Sequence, residues 1–182
     1  MKVTPLNIPE VLIIEPIIHK DDRGFFFESF NLNKLRKATS LNISFVQDNY
    51  SKSLKGVLRG LHYQINPCAQ GKLLHVIQGE IFDVAIDLRK SSPTFGKYVS
   101  EILSSENKKQ VWIPEGFAHG FLTLSDSAEI IYKVTNFYSD MHKRTIIWND
   151  PVLNIKWPKS SNILQSYNDL YGQSFESSEL FD

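Results

Sequence analysis

One cysteine, Cys68, stands in a chain of 182 residues, so no disulfide can form within it and a cysteine-built zinc knuckle is excluded. Long apolar runs are missing too. The longest near the start, Val11 to Ile14, lies between Glu10 and Glu15, far shorter than a signal-peptide core or a membrane span. These absences predict a soluble protein of the reducing cytoplasm. Charge of one sign is not in excess: Lys plus Arg number 20 and Asp plus Glu number 20. Because the signs are interspersed, there is no basic stripe for nucleic acid. Repeats, low-complexity tracts and linkers are absent, and Gly and Pro are scattered as turn punctuation. What remains is 42% hydrophobic and 12% aromatic, enough for one substantial core and too short for two. A single domain over residues 1–182 is expected, with its core at about 10–150 and a tail at 151–182.

Most of the periodicity is that of strands. Lys72 to Ile77 and Ile81 to Leu88 flank Gln78-Gly79-Glu80, a connection suited to a tight hairpin. In the second run Phe82, Val84, Ile86 and Leu88 alternate with Ile81, Asp83, Ala85 and Asp87. One face is therefore apolar and the other carries carboxylates. Val111 to Ile113 and Gly120 to Leu124 surround Pro114-Glu115-Gly116, and Glu129 to Phe137 is rich in β-branched and aromatic residues. Short strands joined by such turns favour a sandwich or small barrel. The best helix candidate is Leu32 to Ala38, with Asn31 as N-cap and Lys34, Arg36 and Lys37 toward its C-terminal end. Beyond Asn149-Asp150-Pro151 the alternation is lost, which predicts an irregular segment with short helices packed on the barrel.

Three polar residues stand in apolar or glycine-rich settings: His62, His119 and Tyr132. Taken singly, each has a plain structural explanation as a hydrogen-bonded core residue. Arg59, three residues before His62, and Lys72 nearby place cations around a potential base, which suits an anionic substrate. Arg23 reads equally as a solvated loop charge or as a bidentate phosphate contact. His62, His75 and His119 with Glu80 could be imagined as a metal set. Metal-binding cupins carry a His-x-His pair, whereas here the positions read His62-Tyr63-Gln64, and Gln64 is a poor ligand. No metal and no cofactor are expected.

Six ordered motifs carry a resemblance. They are Asp22-Arg23-Gly24-Phe25-Phe26-Phe27-Glu28, Gln47-Asp48-Asn49-Tyr50-Ser51, Gly56-Val57-Leu58-Arg59-Gly60-Leu61-His62-Tyr63-Gln64, Ser92-Pro93-Thr94-Phe95-Gly96, Trp112 through Phe121, and Trp148-Asn149-Asp150-Pro151. With them the chain, over roughly residues 5 to 175, resembles the dTDP-4-dehydrorhamnose 3,5-epimerase family. The resemblance implies an all-β, cupin-type jelly roll in a homodimer, acting on a nucleotide-linked 4-keto sugar. It implies His62 as general base, Asp169 as the carboxylate that orients it, Tyr132 as general acid and Lys72 at the sugar's C4 oxygen. Arg23 and Arg59 would meet the diphosphate and Tyr138 would stack on the base. Glu28, Gln47, Asp48, Asn49 and His119 would complete the pocket.

Two positions depart from the family pattern, Lys143 where Glu is usual and Asn168 where Lys commonly precedes the aspartate. A 3- or 5-monoepimerase, a ketoisomerase and a non-catalytic sugar-binding cupin are the alternatives. The apolar, β-branched stretch Val11 to Ile18 is expected to cross to a partner, bringing Arg23 and Glu28 to its site.

Overall fold

The computed structural model describes residues 1–160 and 162–182. Its described residues form thirteen strands and two short helices. Along the chain the strands are β1 (Lys2–Pro5), β2 (Leu12–Glu15), β3 (His19–Asp21), β4 (Gly24–Phe26), β5 (Gln47–Leu54), β6 (Leu58–Gln64) and β7 (Lys72–Gln78). Then come β8 (Glu80–Asp87), β9 (Tyr98–Ser104), β10 (Gln110–Ile113), β11 (Phe117–Thr123), β12 (Ser127–Val134) and β13 (Lys143–Thr145). The helices are α1 (Leu32–Thr39) and α2 (Tyr167–Leu170). One sheet runs β1-β2-β10-β7-β12-β5 and faces a second, β13-β6-β11-β8-β9, while β3 and β4 form a separate hairpin. This is the expected all-β jelly roll.

The connection at Gly79 corrects the expected hairpin. β7 lies between β10 and β12 in the first sheet, and β8 lies between β11 and β9 in the second. The turn therefore carries the chain across the sandwich. Gly79 has φ +79°, and a Cβ there would stand 2.1 Å from the Ser127 carbonyl oxygen, so only glycine turns this corner without strain. Pro114-Glu115-Gly116 makes the same kind of crossing from β10 to β11. In both places the local pattern shows a turn, while long-range pairing decides which strands it separates.

Alternation in β8 is as read, but neither face meets solvent. Ile81 and Ala85 join Leu74, Val76, Val111, Phe117 and Ile130 in the core between the sheets. Asp83 and Asp87 share that inward side and are 2% and 0% exposed. Val84, Ile86 and Leu88 point the other way, into a cluster with Leu153 and Phe175 of the tail. The irregular tail thus covers the outside of the second sheet, where each fully buried Leu or Phe contributes about 1.5–3 kcal/mol. Asp150 fastens it by accepting hydrogen bonds from the amides of Val152 (2.9 Å), Leu153 (3.1 Å) and Phe175 (2.8 Å).

On the outside of the first sheet, α1 buries Leu35 against Leu12, Ile14, Leu73 and Trp112. Asn31 caps it by accepting from the Lys34 amide at 3.1 Å, and Ser40, in the left-handed region, ends it. The helix is one residue longer than the predicted Leu32 to Ala38. No helix among the described residues is long and apolar enough to cross a membrane.

Candidate active site

Strand alternation aims side chains of both sheets into one cavity of about 350 Å³. From the first sheet come Gln47, Asn49, Lys72 and Tyr132; from the second come Arg59, His62 and His119. Asp169 and Ser166 reach it from the tail, and Tyr138 from the loop before β13. The apolar core fills much of the remaining space between the sheets.

His62 sits on β6 with His119 of β11 and Thr145 of β13 as its cross-strand neighbours. Its Nε2 makes a short hydrogen bond with Asp169 Oδ1. Asp169 is 3% exposed and is held at its other oxygen by the Ser166 hydroxyl at 2.7 Å. The Asp169 amide in turn donates to Ser166 Oγ at 3.2 Å, capping α2. Burial pushes the Asp169 carboxyl up, but the hydrogen bond and charge of His62 and the bond from Ser166 outweigh it, so the carboxyl titrates below its ordinary value. It therefore stays ionised and fixes the imidazole.

Lys72, on β7, donates to the His62 carbonyl at 3.1 Å and is 8% exposed. Burial lowers its ammonium to about 8, against the opposing charge of Asp83. A second histidine–carboxylate couple, His119 Nε2 with Asp83 Oδ2 at 2.7 Å, lies behind it. Burial lowers His119, and Asp83 again opposes. On the facing sheet Tyr132 packs against the inner core beside Ile130. Burial raises its phenol, with Arg59 pulling the other way. A histidine–carboxylate couple on one wall, with a phenol and a buried ammonium from the other, can take a proton from one face of a substrate and return one to the other.

The remaining polar side chains of the cavity are held by hydrogen bonds. Arg59 donates to Ser53 Oγ at 2.9 Å and to the Lys52 carbonyl at 3.2 Å. Gln47 donates to Asn49 at 2.8 Å and accepts from the Tyr138 amide at 3.1 Å. Tyr138 is 56% exposed, leaving its ring at the cavity mouth. Three expected site residues stand elsewhere in the chain's own fold. Arg23 pairs with Asp21 on the β3–β4 hairpin, Glu28 pairs with Lys34, and Asp48, on the opposite face of β5 from Asn49, pairs with Lys133. Odd and even residues of a strand point apart, and Gln47-Asp48-Asn49 cannot all face one cavity.

The imagined metal set is dispersed for the same reason. His75 points to the outer face of the first sheet, where it packs edge-on to Phe27, and Glu80 is exposed at the start of β8. No three His, Cys, Asp or Glu side chains converge as a metal site among the described residues. Sequence reasoning left Asp83 and Ser166 unassigned. Asp83 belongs to the recognised carboxylate face of β8, and Ser166-Tyr167-Asn168-Asp169 has the spacing of a helix capping box.

Fold and site together define a jelly-roll enzyme built for proton transfer at carbon. Residues 5–177 match the model of the dTDP-4-dehydrorhamnose 3,5-epimerase family, and the chain belongs to it. It is 57% identical to the dTDP-4-dehydrorhamnose 3,5-epimerase of Shigella flexneri over 181 residues, covering 100% of this chain and 99% of that one. A Legionella pneumophila dTDP-6-deoxy-D-glucose-3,5-epimerase, solved with dTDP-4-keto-L-rhamnose, superposes with TM-score 0.95 at 47% identity, over 98% of this chain and 94% of that one. The 3′-monoepimerase ChmJ of Streptomyces bikiniensis, solved with dTDP-quinovose, gives TM-score 0.89 at 32% identity over 95% and 87%.

The buried ammonium makes stability depend on pH. Lys72 releases its proton at about 8 in the folded chain and at about 10.4 when unfolded. Between these values the unfolded chain binds more protons, so stability rises with pH; below about 8 the burial penalty is present in full. In denaturant titrations at pH 7.5 and 10, the wild type should gain up to about 3 kcal/mol relative to Lys72→Met. Equal pH dependence in the two proteins would contradict a buried, titrating Lys72.

Proposed function

We propose that this chain inverts C3 and C5 of a dTDP-linked 4-keto-6-deoxyhexose, the epimerase step of dTDP-L-rhamnose synthesis. The observation that carries the reading is that His62–Asp169 and Tyr132 line one cavity from facing sheets, with Lys72 reaching from Tyr132's sheet to the His62 carbonyl. A hydrogen on C3 or C5 becomes acidic only because the electron pair left behind delocalises into the C4 ketone as an enolate. His62 takes that proton, and ionised Asp169 holds the imidazole and stabilises the imidazolium. The Lys72 ammonium faces the enolate oxygen; loss of a comparable oxyanion donor in other enzymes costs about 10²–10³ in turnover. Tyr132 delivers a proton to the opposite face; the imidazolium then releases its proton to solvent and the phenolate takes one up, which resets both groups for the second carbon. Arg59 faces the diphosphate, Tyr138 stacks on the base, and Gln47, Asn49 and His119 hold the sugar. The side chains supply both proton transfers, and no redox step is required.

The monoepimerase ChmJ shares the fold, so single-carbon inversion is the second reading. Incubation of dTDP-4-keto-6-deoxyglucose in heavy water, followed by NMR at C3 and C5, separates the two. Deuterium with inversion at both carbons is expected; incorporation at one carbon alone would favour the second reading, and at neither would refute both. In Tyr132→Phe the base still forms the enolate but the opposite proton is missing. Deuterium should then enter with much reduced inversion, whereas a tyrosine that only packs against the core would leave stereochemistry unchanged.

A homodimer of cytoplasmic location is part of this proposal. Cys68 is a free thiol, in keeping with a reducing compartment. Ile17, Phe25 and Phe26 are 64%, 56% and 71% exposed beside Arg23, an apolar surface that a second subunit would cover. That arrangement brings Arg23 and Glu28 to the partner's cavity and accounts for their distance from their own. Sedimentation at micromolar concentration should give a dimer, and a fully active monomer would contradict it.

A further inference from the structure

The cavity's lining includes the cations Arg59, Lys72, Lys143 and Arg144, and they differ in what holds them. Arg144 is committed to Glu179 at 2.7 Å and to the carbonyls of Met141 and Lys143 at 2.9 Å each. Arg59 is tied to Ser53 and a backbone carbonyl, and Lys72 is buried. Lys143 is held at 2.9 Å by Asp140 Oδ1, with the two side chains 40% and 77% exposed. The same carboxylate oxygen accepts the Tyr138 hydroxyl at 2.9 Å. Lys143 and then Tyr138 hold the Asp140 carboxyl below its usual range, so it is an ionised anchor.

The loop that presents these groups is fixed from below. Gln64 on β6 donates to the Phe137 carbonyl at 3.1 Å and accepts from the Ser139 amide at 2.7 Å, and its Cα faces that of Lys143 across β13. The backbone is thus set while the lysine's long stem stays free to swing. An exposed ion pair is worth little, so exchanging this carboxylate for a doubly charged diphosphate costs almost nothing and gains a charge-assisted contact.

We propose that Lys143 is a specificity-determining residue of this site: a mobile cation that waits on Asp140 at the mouth and moves to the diphosphate of an entering nucleoside-diphosphate sugar. The proposal rests on the nucleotide-sugar reading above. Asp140 competes with the ligand for the lysine while orienting Tyr138, so the pair tunes affinity for phosphate separately from affinity for the base.

Calorimetric titration with dTDP and with thymidine tests this at low salt. Lys143→Gln should weaken dTDP binding about threefold to tenfold, and the difference should shrink in about 0.5 M salt. Lys143→Arg should retain dTDP affinity, and Asp140→Asn, which removes the competing charge, should tighten it about twofold. Thymidine, lacking phosphate, should bind the wild type, Lys143→Gln and Lys143→Arg alike, whereas Asp140→Asn, which also changes the partner of the Tyr138 hydroxyl, is compared by its ratio of dTDP to thymidine affinity. Equal dTDP binding by wild type and Lys143→Gln, or an equal loss of thymidine and dTDP, would overturn the inference alone. Failure of the wild type to bind dTDP would instead overturn the reading of the whole site, and the inference with it.

Discussion

The site depends on one contact, between His62 on an interior strand and Asp169 in the tail, 107 residues apart in sequence. A histidine in the second sheet has no orientation of its own, since the imidazole turns about two side-chain bonds. A buried carboxylate at Nε2 removes that freedom, provided the carboxylate itself cannot move. α2 is too short to be stable alone, so Asp169 is fixed by what surrounds it. Ser166 binds both its amide and its carboxylate. The flanking chain is stitched to the body through the bridges of Val57 with Leu164 and Ile146 with Gln173. Asp150 and the buried Phe175 complete the attachment.

Polar interior groups come at a cost that the fold meets by pairing them. Asp83 is matched with His119, and Asp87 accepts from Arg89, Ser92 and Thr94. Unpaired buried charges of this kind would cost several kcal/mol each. Lys72 is held differently: among the described residues its ammonium donates to a backbone carbonyl, and burial brings its proton within reach of neutral pH. Asp83 acts on this ammonium through its charge while it is itself bonded to His119, so Lys72 is not locked to a carboxylate.

Local signals in the sequence reached as far as local physics does. The alternation of β8 and the cap at Asn31 follow from the preferences of strand and helix, and both appear as expected. Which sheet each strand joins does not follow, and Gly79 shows why: the same glycine turn serves a hairpin or a crossing, and only distant partners such as β12 and β11 decide. Among site residues, His62, Lys72 and Arg59 were legible from clustered charge near a glycine-rich strand. Asp169 was visible only through family resemblance, because nothing near it announces a partner 107 residues away. Arg23, Glu28 and Asp48 lie outside their own chain's cavity. For Asp48 strand parity alone excludes the cavity, whereas no local rule places the hairpin of Arg23.

If the tail exists to hold a carboxylate on His62, changing that carboxylate to an amide should damage catalysis far more than folding. Asp169→Asn keeps the shape and the Ser166 contacts but removes the charge that stabilises the imidazolium. Single-turnover epimerisation by this variant, compared with its thermal unfolding, is the most direct measurement. A rate lower by about 10²-fold or more with the fold retained is the expected result. A rate within about threefold of the wild type would show that His62 needs no anionic partner and would contradict the account.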